Sequence, residues 1–168
     1  METGLSTADF SKGQSGFADS EYELHIRSET QTMEVRKKGT LEHTYPVSTS
    51  KFGLGVEEGS FKTPTGNFVI KEKFGETAPL FAIFKSRIFT GEISPSGGDE
   101  DLILTRILWL DGLDKNNANT YNRYVYIHGT NQEAFIGKPA SHGCIRMRNQ
   151  DIADLYDRIP KGTRVHIV

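Results

Sequence analysis

The chain has 168 residues, with 20 Lys and Arg against 22 Asp and Glu and a formal net charge of −2. At 36% hydrophobic and 25% charged residues, the composition suits one folded domain with a core, not a disordered segment. The charge balance excludes an overall basic field for nucleic acid or anionic lipid, and no apolar run is long enough for a membrane span.

In chain order, residues 1–20 are polar, rich in Gly and Ser, and without the apolar core of a secretory signal; they read as a flexible tail. Residues 21–168 read as one domain with no repeat or linker. Tyr22-Glu23-Leu24-His25-Ile26 alternates apolar and polar, and so does Thr32-Met33-Glu34-Val35-Arg36. The turn Lys38-Gly39 then leads into residues 41–47, which predicts a hairpin. A loop at 48–60 carries three glycines. Thr63-Pro64-Thr65-Gly66 has the Pro and Gly placement of a β-turn. Further strands are predicted at 67–71, 81–84, 102–110 and 123–128. They are separated by a Gly-, Ser- and acid-rich loop at 91–101 and by a loop at 111–122 with four asparagines. Near the end, Ile152, Leu155, Tyr156 and Ile159 form the apolar stripe of a short helix. Asn149 is its expected cap, Pro160 and Gly162 end it, and residues 163–168 read as a last strand. Short strands with this punctuation predict a mainly β fold, a sandwich or barrel.

The chemistry concentrates near the lone cysteine, Cys144, which has no partner for an intrachain disulfide. A free thiol titrates near about 8.5 and needs a base to become a nucleophile at neutral pH. Two imidazoles qualify. His142 stands two residues before Cys144, on the same face of an extended segment. His128 ends the apolar run Tyr124-Val125-Tyr126-Ile127, a rigid platform, and a Gly129 carbonyl can fix its tautomer. Spacing alone leaves both open. His25, His43 and His166 read as structural. Amide donors for a tetrahedral oxyanion are the N–H groups of Gly143 and Cys144, with the His142 ring as a helper. The Arg146 guanidinium suits a carboxylate, either of a substrate or of an ion pair, and Ser141 either hydrogen-bonds His142 or supports the turn, the second being favoured. A zinc site of His128, His142 and Cys144 is disfavoured by the absence of a second Cys or a paired His spacing, so no metal and no cofactor is expected. Tyr45, Trp109, Tyr124 and Tyr126 are read as core first and cleft lining second.

Two segments carry a family likeness. Ile127-His128-Gly129-Thr130 and Ile136-Gly137-Lys138-Pro139-Ala140-Ser141-His142-Gly143-Cys144-Ile145-Arg146-Met147 resemble the signature of the bacterial L,D-transpeptidases of the YkuD type. Pro46-Val47-Ser48-Thr49-Ser50, the Thr63-Pro64-Thr65-Gly66 turn and Gly162-Thr163-Arg164-Val165-His166-Ile167 extend the likeness over roughly residues 20–168. The resemblance implies a β-sandwich of mixed sheets with a short helix after the cysteine segment. It implies Cys144 as nucleophile, His128 as general base with the Gly129 carbonyl orienting it, and Ser141, His142 and Gly143 lining the site. Where many members carry Asn, this chain has Arg146, and the 128–141 loop looks short for the family.

The implied reaction is attack by the thiol on the carbonyl joining an L-centre to the terminal D-alanine of a peptidoglycan tetrapeptide stem. D-alanine leaves, a thioester forms, and an amine of a second stem resolves it to a cross-link. The partners would be donor and acceptor stems, with carbapenems as inhibitors that acylate Cys144. The setting would be outside the cytoplasmic membrane, periplasmic or cell-wall associated. Two other readings stay open: the same acyl-enzyme resolved by water, and a wall-binding module without turnover.

Overall fold

The computed structural model describes residues 20–168. The tail expected over 1–20 therefore lies, except for Ser20, outside the described residues. Among the described residues there are ten strands and one α-helix: β1 Tyr22–Arg27, β2 Thr32–Lys37, β3 Thr40–Pro46, β4 Gly66–Phe74, β5 Ala82–Lys85, β6 Ile88–Ile93, β7 Ile103–Gly112, β8 Tyr126–Gly129, β9 Ile145–Met147, α1 Asn149–Arg158 and β10 Arg164–Ile167. The mainly β class and the mixed pairing hold: β1–β10 and β8–β9 are parallel, the other pairs antiparallel.

The strands form one hydrogen-bonded network in the order β3-β2-β1-β10-β4-β7-β5-β6, with β8 on β7 and β9 on β8. β7 is the branch point. Residues 107–112 pair with β4 and residues 103–104 with β5, along one edge. The other edge pairs with β8, with a bulge between Leu104 and Ile107 where Thr105 takes a φ of 73°. Side-chain alternation then buries both faces of β7 and β8. Leu108, Leu110 and Ile127 join the main core with Leu24, Phe68 and Ile145. Ile107, Trp109 and Tyr126 face the other way, into a smaller cluster with Ala82 and Phe84, and Cys144 packs against it.

Three local expectations need correction. β6 went unpredicted because it is an edge strand exposed along its whole length, so no alternation marks it. β8 begins at Tyr126 and not at 123. Residues Tyr121–Arg123 form a 3-10 turn and Tyr124 takes a φ of 56°. There Tyr121 stacks on Trp109, with ring centroids 4.0 Å apart, and its carbonyl accepts from Trp109 Nε1 at 3.1 Å. That pair outweighs the β propensity of the run. Finally, Asn149 does not cap α1. The cap position is Arg148, with no side-chain cap bond, while Asn149 is buried inside the first turn. Losing a cap costs about 1 kcal/mol. Burying Ile152 and Leu155, both fully inaccessible, contributes about 1.5–3 kcal/mol each, so packing holds the helix.

Candidate active site

The site is built on the β8–β9 pair. Its register sets His128 beside Arg146 and Ile127 beside Ile145. Ile127, Ile145 and Met147 enter the main core. Alternation therefore puts Tyr126, His128, Cys144 and Arg146 on the opposite face, with His128 and Cys144 as diagonal neighbours, a separation that a ring side chain can bridge.

The turn before β9 is fixed by hydroxyls. Ser141 Oγ donates to the Cys144 carbonyl at 2.5 Å and accepts the Gly143 N–H at 3.2 Å. Gly143 has a φ of 124°, which a β-carbon disfavours. Its carbonyl accepts from buried Thr63 Oγ1 at 3.0 Å, and Thr63 in turn accepts the Ser50 N–H at 2.9 Å. Thus Ser141 supports the turn, and the Gly143 N–H, one of the two expected oxyanion donors, is engaged by it.

Cys144 Sγ accepts the Tyr126 N–H at 3.4 Å and donates to the Tyr124 carbonyl at 3.5 Å. Among the described residues neither imidazole hydrogen-bonds to the sulfur. Burial pushes the thiol up to about 11; the Tyr126 N–H opposes this, and the Asp101 carboxylate adds to it. Buried His128 places Nδ1 2.6 Å from the Gly129 carbonyl. A carbonyl only accepts, so Nδ1 carries the proton and Nε2 the lone pair. Burial lowers the His128 pKa, against the Gly129 carbonyl and Asp101, which raise it. Both shifts favour the uncharged forms, thiol and imidazole.

Gly129 is glycine because of what surrounds it. A β-carbon there would stand 2.7 Å from the Leu104 carbonyl and collide with Asn149 Oδ1. Asn149 is committed to this spot. It accepts from Thr105 Oγ1 at 2.6 Å and donates to the Thr130 carbonyl at 2.8 Å.

His142 and Arg146 are joined by a residue that sequence reasoning missed. Asp101 binds His142 Nδ1 at 3.0 Å with one oxygen and an Arg146 guanidinium nitrogen at 2.7 Å with the other. Arg146 is only 2% exposed and also donates to Gln132 Oε1 at 3.1 Å. Its carboxylate partner is thus in the chain itself. Burial pushes the Asp101 pKa up, but Arg146, His128 and His142 outweigh it and hold the carboxyl below its ordinary range. The signal was present: a buried guanidinium requires a counter-charge, and Asp99-Glu100-Asp101 closes the acidic loop singled out above.

Two clefts meet at His142. One, of about 350 Å³, is lined by Lys51, Asp99, Asp101, Gln132, Pro139 and Arg146 among others. The second, of about 320 Å³, is lined by Glu58, Phe61, Arg123 and Tyr124. Of the aromatics, Trp109 and Tyr126 are buried and Tyr124 is 55% exposed on the second cleft; buried Tyr45 instead hydrogen-bonds Asp154. Arg87 lies 4.6 Å over the Trp109 ring and donates to the Tyr126 hydroxyl at 3.1 Å. His25 and His166 lie beside another cleft of about 270 Å³ on the β1–β10–β4 face, in register with each other. Among the described residues no group of three or more His, Cys, Asp or Glu is arranged to hold a metal ion, and no helix is long and apolar enough to cross a membrane.

The arrangement is similar to known proteins. A family model described as the L,D-transpeptidase catalytic domain, YkuD, matches residues 21–167. The putative L,D-transpeptidase YkuD of Bacillus licheniformis is 28% identical over 146 residues, covering 87% of this chain and 65% of the relative. The chain thus spans just under two thirds of that relative's length. An L,D-transpeptidase from Mycobacterium smegmatis superposes with a TM-score of 0.58 at 20% identity, covering 89% of this chain and 59% of the other. The L,D-transpeptidase LdtMt1, solved in complex with imipenem, gives a TM-score of 0.56 at 21% identity, with the same coverage of 89% and 59%. These superpositions establish a shared fold. With the family model spanning nearly all of the described residues, the chain belongs to the YkuD-type L,D-transpeptidase catalytic-domain family.

Proposed function

We propose that this chain is a cysteine L,D-transpeptidase that acts on peptidoglycan tetrapeptide stems through a thioester on Cys144. The observation that carries the reading is the His128 Nδ1–Gly129 carbonyl bond of 2.6 Å, which leaves Nε2 as a base on the face shared with the sulfur. As the thiol attacks the scissile carbonyl, its proton passes to His128 Nε2. The carbon–nitrogen bond breaks, and the D-alanine nitrogen leaves with that proton. Because both shifts favour the uncharged forms, deprotonation and attack are coupled, and no standing thiolate is exposed to oxidants. The oxyanion falls to the Cys144 N–H, and to Gly143 only if Ser141 releases it. An amine of a second stem then takes the acyl group.

Its place of work is outside the cytoplasmic membrane, where such stems lie. A structurally similar L,D-transpeptidase was solved with imipenem, and a carbapenem is proposed as an acylating inhibitor of Cys144 here too. The test is intact-mass spectrometry of the parent, Cys144→Ala and His128→Ala with a defined tetrapeptide donor, followed by product analysis with an acceptor stem. A stoichiometric adduct is expected in the parent, none in Cys144→Ala, and adduct formation slowed about 10²–10⁴-fold in His128→Ala. No adduct in the parent with a reduced thiol would refute the reading; hydrolysis alone, with acceptor present, would refute cross-linking.

A further inference from the structure

Acyl transfer to an amine poses two separate proton problems. The first half-reaction moves one proton from sulfur to the leaving nitrogen, and His128 is placed for both steps. The second must strip the acceptor, which as a primary amine is largely an ammonium near neutrality. His128 is sealed from solvent, a poor position from which to discard protons.

The molecule holds a second imidazole with a fixed tautomer. The loop at 94–102 is clamped onto the segment after β8. Buried Asn131 donates to the Gly97 and Glu100 carbonyls, each at 2.9 Å, and accepts the Leu102 N–H at 3.2 Å. Gln132 adds a bond to the Gly98 carbonyl at 2.9 Å. The clamp delivers Asp101 to Arg146, and that buried cation keeps the carboxylate from swinging away. Its other oxygen holds His142 Nδ1 at 3.0 Å, so Nδ1 is the donor and Nε2 the free acceptor. The His142 side chain is 44% exposed, so it exchanges protons with water. Its ring packs in a triangle with Phe52 and Phe61, with centroids 5.9 and 6.2 Å away. It borders both clefts, including the one that contains Tyr124, whose carbonyl lies 3.5 Å from the sulfur.

Resting on the transpeptidase reading, we propose that His142, held by Asp101, takes the proton of the acceptor amine in the second half-reaction, while His128 serves the first. The acceptor ammonium gives one proton to His142 Nε2, which passes it on to water, and the freed amine attacks the thioester carbon. A carbon–nitrogen bond forms, and the carbon–sulfur bond breaks with its electron pair on sulfur. The surplus nitrogen proton passes to the thiolate, which restores the enzyme. Asp101 is a positioning residue, and Asp99 on the cleft wall supplies a carboxylate for the arriving ammonium.

The test separates the half-reactions in the parent, Asp101→Asn, Asp101→Glu and His142→Gln. Each is acylated with donor, and adduct formation is timed by intact mass. The isolated acyl-enzyme is then resolved either by a stem-peptide amine or by hydroxylamine, which is unprotonated at neutral pH. For Asp101→Asn and His142→Gln, resolution by the stem amine is expected to fall about 10²-fold, at least tenfold more than acylation, with hydroxylamine recovering most of the loss and Asp101→Glu part of it. Equal loss with both nucleophiles, or acylation slowed as much as resolution, would mean that Asp101 merely supports Arg146 and would overturn the proposal. If Asp101→Asn does not fold, half-exposed His142→Gln decides by the same criteria. A parent that forms no adduct refutes the transpeptidase reading and this assignment with it; a parent that acylates beside variants without an amine-specific loss refutes the assignment alone.

Discussion

Replacing Gly129 by Ala tests whether the carbonyl that orients His128 depends on close packing. The new methyl group would lie 2.7 Å from the Leu104 carbonyl and against Asn149 Oδ1. The first is backbone of a central strand and the second is held by Thr105 and the Thr130 carbonyl, so neither yields without loss. Overpacking of this kind costs about 1–3 kcal/mol, and stranding buried Asn149 adds about 1–3 kcal/mol. A combined loss of about 2–6 kcal/mol lowers Tm by roughly 4–24 °C for a domain of this size. A displacement of about 1 Å in the orienting carbonyl slows acylation about 10²-fold. Calorimetry gives the first quantity and timed adduct formation the second. In the double variant with Asn149→Ala the losses should be less than additive, because one of the two collisions is gone. A Gly129→Ala protein that melts within about 2 °C of the parent and acylates at the parental rate would refute the argument.

Three further outcomes follow from the same geometry. Thr63→Val removes the partner of both the Gly143 carbonyl and the Ser50 N–H; at about 1–3 kcal/mol for each buried group, urea denaturation should show about 2–6 kcal/mol lost, with Thr63→Ser restoring most of it, and parental stability in Thr63→Val would contradict the bonding described. A thiol raised to about 11 holds roughly 10²-fold less thiolate at neutral pH than a free cysteine. Iodoacetamide should therefore label Cys144 slowly at pH 7.5 and faster toward pH 10, and labelling at the rate of free cysteine would show the thiol is not suppressed. The acid limb has a definite sign: His128 must be neutral to act and its pKa is lowered, so acylation should fall only below the ordinary imidazole range of about 6.5 and stay level from pH 7 to 9. An acid limb centred above that range would contradict the burial argument.

Much of this protein could be read along the chain. Alternation marked β1 and β2, and the turn Lys38-Gly39 marked their hairpin with β3, because a period of two records which face a strand buries. The stripe of Ile152, Leu155 and Tyr156 located α1 for the same reason at a period of 3.6. Cys144, His128 and the Gly129 carbonyl were legible because their chemistry sits in two short contiguous segments. Asp101 was not. It reaches His142 across 41 positions, and Thr63 reaches Gly143 across 80. Asn149 fits a cap and a buried crosslink equally well until the bulge at Thr105 brings a hydroxyl to it. Periodicity reports only the backbone state of its own segment. Which loop meets which strand is set by the branching of the sheet at β7, which depends on pairing between distant segments and leaves no trace in either one.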